Sequence, residues 1–264
     1  MQFDVLTIFP ALLESPLREG IIRRAVRDGK VDIRLHDIRE FALDRHAMTD
    51  DRPFGGGEGM VMKPEPLAAA IRKVTAAGGA RVVLLSPRGR PYSQRLAEEL
   101  AGQPHLVLVC GRYEGVDARI HQRFVDTEIS IGDYILTGGE LAAMVVIDSV
   151  VRLLPGVLGC AESASNDTFS RGLLKYPQYT RPRDFEGMAV PEVLLEGDHG
   201  AIARWRFLEA VRETMARRPD LLQRYRFSRD EERQLRRAGL WDALCELRRR
   251  CDGNGHLRDG DGET

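Results

Sequence analysis

The chain has 264 residues, of which 43% are hydrophobic and 30% are charged, with a formal net charge of -1. This length can supply the core of one large domain or of two unequal ones, and the composition excludes collagen-like and wholly disordered proteins. The longest apolar stretch, Leu141 to Leu154, contains Asp148, Ser149 and Arg152, and it is shorter than the roughly 18 to 20 residues of a membrane helix. We therefore expect no membrane span.

The N-terminal sequence MQFDVLTIFP contains neither a basic leader nor a cleavage motif. It is typical of a first β-strand, and we expect a cytoplasmic protein. The four cysteines form no CxxC pair, so a zinc site or a disulfide framework is not expected. They are Cys110, Cys160, Cys245 and Cys251.

Short runs of Val, Ile and Leu alternate with helical periodicity through the first half of the chain, which predicts a buried parallel sheet covered by helices. The predicted strands are Gln2–Phe9, Val31–Leu35, Arg81–Ser86 and Leu106–Cys110. The predicted helices are Pro16–Asp28, Glu65–Ala76, Ser93–Gly102, Asp117–Val125 and Gly139–Leu154.

Polar, glycine-rich sequences mark the candidate site. Between Phe41 and Met62 the periodicity is lost in HAMTDDRPFGGGEGMVM, which predicts a functional loop, either a flexible flap or a phosphate cradle. The sequences SPRGRP, CGRYEG and IGDYILTGGE, from Ser86, Cys110 and Ile131, each follow a strand. Because ligands bind beyond the carboxyl ends of parallel strands, these sequences predict one shared pocket. Neither a GxxxxGK[ST] motif nor a Rossmann fingerprint is present.

The second half of the chain differs from the first in composition and periodicity. We predict an α/β domain at residues 1–160, a linker at 161–190, a helical domain at 191–250 and a disordered tail at 251–264. From His199 to Arg250 there are 14 arginines and 8 acidic residues. Such an excess suits contact with nucleic-acid phosphates, although a solvated helical surface is the alternative.

Six segments carry a family resemblance that covers roughly Met1 to Phe227. They are DDRPFGGGEGM, CGRYEG, IGDYILTGGE, DSVVRLLPGVLG, NDTF and YPQYTRP. In this order and spacing they resemble the TrmD family of bacterial tRNA (guanine-N1)-methyltransferases, within the SPOUT superfamily. The resemblance implies an α/β parallel-sheet methyltransferase domain with a trefoil knot and a small all-α C-terminal domain. It also implies a homodimer whose active sites lie at the subunit interface.

The same resemblance implies S-adenosylmethionine as methyl donor and, as substrate, a tRNA in which guanosine 36 precedes the target, guanosine 37, on the 3′ side of the anticodon. By this resemblance, the donor site consists of Ser86, Pro87, Gly111, Ile131, Gly132, Asp133, Tyr134, Ile135, Leu136, Gly138 and Gly139. The residues that contact the RNA are Tyr113, Glu114, Asp50, Arg52, Gly57 and Arg181.

Two residues match the catalytic pair of the family. Guanine N1 must lose its proton before it can attack a methyl group, and Asp167 is the expected general base. Arg152 is expected to stabilise the charge that develops on O6. Without the resemblance, Asp167 would be interpreted as a helix N-cap and Arg152 as a cation at a helix C-terminus.

The family is described as magnesium-dependent. The sequence contains no carboxylate cluster that could form an all-protein Mg²⁺ site, so no metal ligand is predicted, and Glu114 and Asp167 are the only candidates. Phosphate contacts are expected from arginines of the helical domain, namely Arg204, Arg206, Arg212, Arg217 and Arg218.

Lys175, Phe54 and Gln178 depart from the family pattern, which affects the expected RNA contacts rather than the reaction. Residues Ser228 to Thr264 extend beyond the resemblance, and we assign them no function. Two other functions fit the same sequence. One is a SPOUT enzyme that methylates a different nucleotide, for example at a ribose 2′-hydroxyl, and the other is a catalytically silent tRNA-binding clamp.

Overall fold

The structure is a computed structural model, and it describes residues 1–159 and 167–254. The chain divides into two compact units, residues 1–164 and 165–264. The first unit is built around a parallel sheet and the second is helical. This mixed α/β fold with a helical C-terminal region confirms the predicted fold class, while the knot stays a prediction.

The first unit contains a five-stranded sheet in the order β2-β1-β6-β5-β7, and every neighbouring pair is parallel. A separate antiparallel ribbon joins β3 to β4. The strands are β1 Gln2–Thr7, β2 Asp32–Asp37, β3 Asp50–Asp51, β4 Val61–Met62, β5 Ala80–Pro91, β6 His105–Cys110 and β7 Thr127–Ser130.

Helices cover both faces of the sheet, as expected for buried parallel strands. On one face Phe3, Val5 and Leu108 pack with α1, α2, α4 and α6, and on the other Leu6 and Val109 pack with α3 and α5. The helices are α1 Ala11–Leu17, α2 Gly20–Arg27, α3 Pro64–Val74, α4 Gln94–Ala101, α5 Ala118–Phe124 and α6 Glu140–Val151. A 3-10 turn spans Ile38–Phe41.

One prediction for the first unit was wrong in detail and another was incomplete. The helix predicted over Pro16–Asp28 is two helices, because Gly20 has a left-handed φ of +58° that a continuous right-handed helix does not accommodate. The strand expected before Ile131 was given no bounds, because the sequence TEIS of β7 is short and only its last two residues are buried.

The structure also changes the interpretation of two loops. Strand β5 continues past Ser86 to Pro91, with a shift of register against β7 between Leu85 and Arg90, so SPRGRP forms a β-bulge rather than a free loop. The long loop between Phe41 and Met62 is closed at its base, because Asp50 pairs with Met62 in the β3–β4 ribbon.

The second unit packs around its own apolar core, which includes Leu173, Phe207, Val211, Leu222 and Leu235. Its helices are α7 Thr168–Arg171, α8 His199–Arg217, α9 Pro219–Arg224, α10 Arg229–Arg237 and α11 Trp241–Asn254. A short hairpin joins β8 Asp184–Phe185 to β9 Met188–Ala189, and a 3-10 turn spans Glu192–Leu194.

Part of the predicted linker is therefore built into this unit, since Leu173 is buried in its core and the Leu174 N–H donates to Thr214. Helix α11 continues to Asn254, four residues into the segment predicted as a tail, and residues 255–264 lie outside the described part of the chain. Among the described residues no helix is long and apolar enough to cross a membrane.

Candidate active site

A cavity of about 530 Å³ lies at the carboxyl edge of the sheet, where β5, β6 and β7 end. Its walls come from the three polar sequences that follow these strands, together with α5 and the start of α6. Of the residues predicted for the donor site, all line the cavity except Asp133, which is exposed. A cavity of this size holds a cofactor-sized molecule.

The loop that follows β6 and the loop that precedes α6 are in close backbone contact. The Gly139 N–H donates to the Gly111 carbonyl at 2.9 Å. A Cβ atom at Gly139 would lie 2.8 Å from the Cα of Cys110, closer than packed atoms come, so only glycine fits this contact. The end of β6 and the start of α6 are thereby held against each other at the floor of the cavity.

A buried ion pair supports the same junction. The Glu140 side chain is almost fully buried and accepts hydrogen bonds from the Arg112 guanidinium and, at 2.6 Å, from the Thr7 hydroxyl. The Arg112 guanidinium also stacks on the ring of Phe9, 4.4 Å from its centre. These contacts satisfy both charged groups, which a buried pair requires, and they connect β1, β6 and α6 beneath the cavity.

The cavity also contains a histidine–carboxylate pair that the sequence analysis missed. His121 of α5 and Glu128 of β7 line it and are hydrogen-bonded to each other. Burial raises the pKa of Glu128, but hydrogen bonds from His121 and Ser86 and the nearby His121 and Arg88 charges outweigh that effect, so the pKa is lowered. Glu128 is thus an ionised carboxylate in the pocket wall, suited to a cationic ligand. No local motif signals this pair.

The structure also brings together three residues predicted to contact the RNA, namely Asp50, Tyr113 and Glu114. Burial and the adjacent Asp50 carboxylate raise the pKa of Tyr113, which has a left-handed φ of +58°. The Glu114 N–H donates to the Met60 carbonyl at 3.0 Å. A Cβ at Gly59 would lie 2.6 Å from the Glu114 carboxylate, so the glycine-rich loop packs closely on this residue.

The remaining predicted residues of the first unit are not among those that line the cavity. Arg52 and Gly57 are exposed in the loop between β3 and β4. Arg152 is the C-cap of α6 and does not line the cavity. At 1.5 Å per residue it lies about 20 Å along the helix from Gly139, so the chain's own donor pocket and this arginine are at opposite ends of α6.

Asp167 and Arg181 belong to the second unit. Asp167 occupies the N-cap position of α7, but its side chain makes no capping hydrogen bond, so capping does not account for the residue. Arg181 is exposed and lines a second cavity in this unit. Within residues 1–159 and 167–250, no group of three His, Cys, Asp or Glu side chains is placed to hold a metal ion.

The arginines expected to contact phosphates differ in their surroundings. Arg212 pairs with Glu209 and Arg217 with Glu213, one turn away on α8. Arg218 pairs with Asp220. Pairs as exposed as these contribute little to stability and exchange readily with other anions. Arg204 and Arg206 are exposed, and among the described residues neither forms an ion pair with a carboxylate.

The comparisons with known proteins all give the same family. The family described as tRNA (Guanine-1)-methyltransferase TrmD matches residues 1–224. A protein of Geobacter metallireducens named tRNA (guanine-N(1)-)-methyltransferase is 57% identical over 89% of this chain and 96% of its own length. Proteins of the same name from Chloroflexus aggregans and Geobacillus kaustophilus are 60% and 57% identical, over 85% and 89% of this chain and 88% and 96% of their own lengths.

Proposed function

The chain belongs to the TrmD family of tRNA (guanine-1)-methyltransferases, and from this premise we propose that it methylates N1 of guanosine 37 in tRNA with S-adenosylmethionine as donor. The cavity at the carboxyl edge of the sheet carries this proposal, because its lining joins the three predicted donor loops to Tyr113 and Glu114.

The residues of the cavity fit the donor. Backbone amides and carbonyls around Gly111, Gly132 and Gly139 can bind the adenine edge without side-chain charges, and the Glu128 carboxylate favours the cationic part of the molecule. When bound, the donor supplies an electrophilic methyl group on a sulfonium. Tyr113 and Glu114 would hold the target guanine by packing on its face and accepting a hydrogen bond from its N2 amino group.

Asp167 is the proposed general base, which accepts the proton of guanine N1 as that nitrogen attacks the methyl group. Arg152 is the proposed partner of O6, where its guanidinium offsets the negative charge that deprotonation creates.

A homodimer is part of the proposal, with tRNA carrying guanosines 36 and 37 as the second partner. Arg152 lies about 20 Å along α6 from Gly139 in the donor pocket of its own chain, so it could serve the pocket of a second copy. Leu12, Leu141 and Val145 support such an interface, because these apolar side chains on the packed helices α1 and α6 are 54%, 62% and 44% exposed. Action on tRNA agrees with the expected cytoplasmic location.

The test is transfer of labelled methyl from S-adenosylmethionine to two tRNA transcripts that differ only in carrying guanosine or adenosine at position 37. We expect the protein to methylate only the guanosine transcript, at N1, and the Asp167→Asn variant to lose at least a hundredfold in kcat while keeping its affinity for the donor and the tRNA.

The same assay distinguishes the proposed function from the two alternatives, a different target nucleotide and a tRNA-binding clamp. Equal methylation of both transcripts would indicate a different target nucleotide and contradict the proposal. Tight tRNA binding without any methyl transfer would indicate a clamp.

A further inference from the structure

The second unit contains a cavity of about 450 Å³ that the proposed reaction does not use. It lies between the segment that follows α7, the 3-10 turn at Glu192–Leu194 and one face of α8. Beside aliphatic side chains, its lining includes three aromatic and three cationic ones, namely Tyr176, Tyr179, Trp205, Arg181, Arg183 and Arg206.

The aromatic side chains form a corner rather than a closed cluster. The ring centres of Tyr179 and Trp205 are 6.3 Å apart and the rings are inclined by 53°, while Tyr176 meets Trp205 edge to face at 6.4 Å. Tyr179 is half exposed. A flat ring can therefore lie on one aromatic face with its edge against the other.

The charge of the cavity has a single sign. Arg181, Arg183 and Arg206 line it, and no Asp or Glu does. Within the part of the chain that the structure describes, none of the three forms an ion pair with a carboxylate, whereas Arg217, farther along α8, pairs with Glu213. Three guanidinium groups around one aromatic corner provide donors for an anion such as a phosphate.

We propose that this cavity binds an unpaired nucleotide of the RNA substrate, other than the methylated guanosine, with its base on the Tyr179–Trp205 corner and its phosphates at Arg181 and Arg183. Unstacked bases are bound in this manner, on aromatic rings with arginines along the backbone. The cavity is large enough for one nucleotide and too small for a duplex. The inference rests on the proposed function, since it takes RNA as the substrate.

Other ligand classes fit less well. An apolar ligand would remove three guanidinium groups from water without giving them a hydrogen-bond acceptor. The lining contains no His, Cys, Asp or Glu that would bind a metal ion. An acidic peptide would use the arginines but would leave the aromatic corner without a flat partner. The combination of rings and cations therefore favours a nucleotide.

Tryptophan fluorescence provides a direct test, because the chain has only two tryptophans, Trp205 and Trp241. In a Trp241→Phe variant of the full chain, we expect an anticodon stem-loop RNA to quench the fluorescence of Trp205. A blunt RNA duplex without unpaired nucleotides and a polyglutamate peptide should not quench it. Equal quenching by the duplex or by polyglutamate would overturn the inference.

Kinetics provide a second test with matched variants. We expect Tyr179→Ala to raise the KM for tRNA about tenfold, which corresponds to ~1.4 kcal/mol, with kcat and the KM for S-adenosylmethionine unchanged. Tyr179→Phe keeps the ring and should restore the original KM. Arg206→Gln should also raise the KM, whereas Arg229→Gln, an exposed arginine at the start of α10 and outside the cavity, should not.

Failure of this inference can be distinguished from failure of the proposed function. An unchanged KM for tRNA in Tyr179→Ala would overturn the inference even if guanosine 37 is methylated normally. Quenching of Trp205 by the stem-loop without methylation of the guanosine transcript would refute the proposed function and support the nucleotide site.

Discussion

Asp4 is a single buried residue whose hydrogen bonds link distant parts of the chain. Its carboxylate is 1% exposed and lies 2.6 Å from a ring nitrogen of His36 and of His105, with Gln2 donating to it at 2.7 Å. Burial by itself raises the pKa of Asp4, but the hydrogen bonds from His36, Gln2 and His105 and the His36 charge outweigh it, so the pKa lies below its ordinary value of 3.8. The folded state therefore favours the ionised form.

This arrangement predicts a contribution of Asp4 to stability that depends on pH. A carboxyl group whose pKa is lower in the folded state stabilises the protein above its unfolded-state pKa, and the contribution is lost as the pH falls through the folded value. We expect Asp4→Asn to reduce the free energy of unfolding by about 2 kcal/mol at neutral pH, and the difference from the parent to shrink below about pH 4.

Urea unfolding of both proteins between pH 7 and pH 3 measures this difference. A gap between parent and variant that stays constant over the whole range would contradict the prediction, because an uncharged packing defect does not titrate.

At the scale of elements, the candidate donor site depends on where β6 ends and α6 begins. The contact of Gly139 with Cys110 and Gly111 brings these two elements together, and the buried Arg112–Glu140 pair holds them there. The loops are thus positioned by packing beneath the cavity, as a preorganised binding site requires.

Gly139→Ala should therefore weaken donor binding without unfolding the protein. The added methyl group must push β6 away from α6, because the nearest atom is backbone at 2.8 Å and cannot rotate away. We expect the Kd for S-adenosylmethionine, measured by calorimetry, to rise at least tenfold, or ~1.4 kcal/mol.

Gly102→Ala is the matched control, since it places a methyl group 3.5 Å from the nearest atom, an ordinary contact, at the end of α4. If both variants bound the donor equally well, the close approach at Gly139 would not be what forms the site.

At the scale of the whole molecule, the proposed function includes a second copy of the chain. The donor pocket is at one end of α6 and Arg152 at the other, and Leu141 lies exposed near the start of this helix. A second copy that covers the apolar positions of α1 and α6 would bury side chains whose exposure otherwise costs free energy.

We expect Leu141→Glu to shift the protein from a dimer to a 29.6 kDa monomer and to abolish methyl transfer, because a charge in an apolar interface is costly. Sedimentation equilibrium and the methylation assay measure the two effects. The helix should remain intact, since Leu141 is 62% exposed.

Leu141→Met keeps the side chain apolar and should remain dimeric and active. A fully active monomer in Leu141→Glu would contradict the shared site, and an unchanged dimer would exclude this face as the interface.

The sequence predicted those features that are encoded in a few neighbouring residues, and it missed those that depend on pairing between distant segments. The strands β1, β5 and β6 were predictable because each contains a run of apolar residues, and β2 because Val31, Ile33 and Leu35 alternate with polar residues. The glycine-rich loops were predictable because their motifs are contiguous. The extent of strand β7 and the bulge of β5 were not predictable, because both are set by the pairing of these two strands. The same reason explains the miss of Glu128, which enters the cavity on β7.

The sequence by itself determined the fold class, the order of the polar loops along the chain and the family, because these follow from apolar periodicity and from motifs within a few residues of each other. Only the tertiary structure decided which side chains meet. Asp4 contacts His105 across 101 positions, and Thr7 contacts Glu140 across 133. Strand order and register set such distances, and a one-dimensional pattern does not encode them.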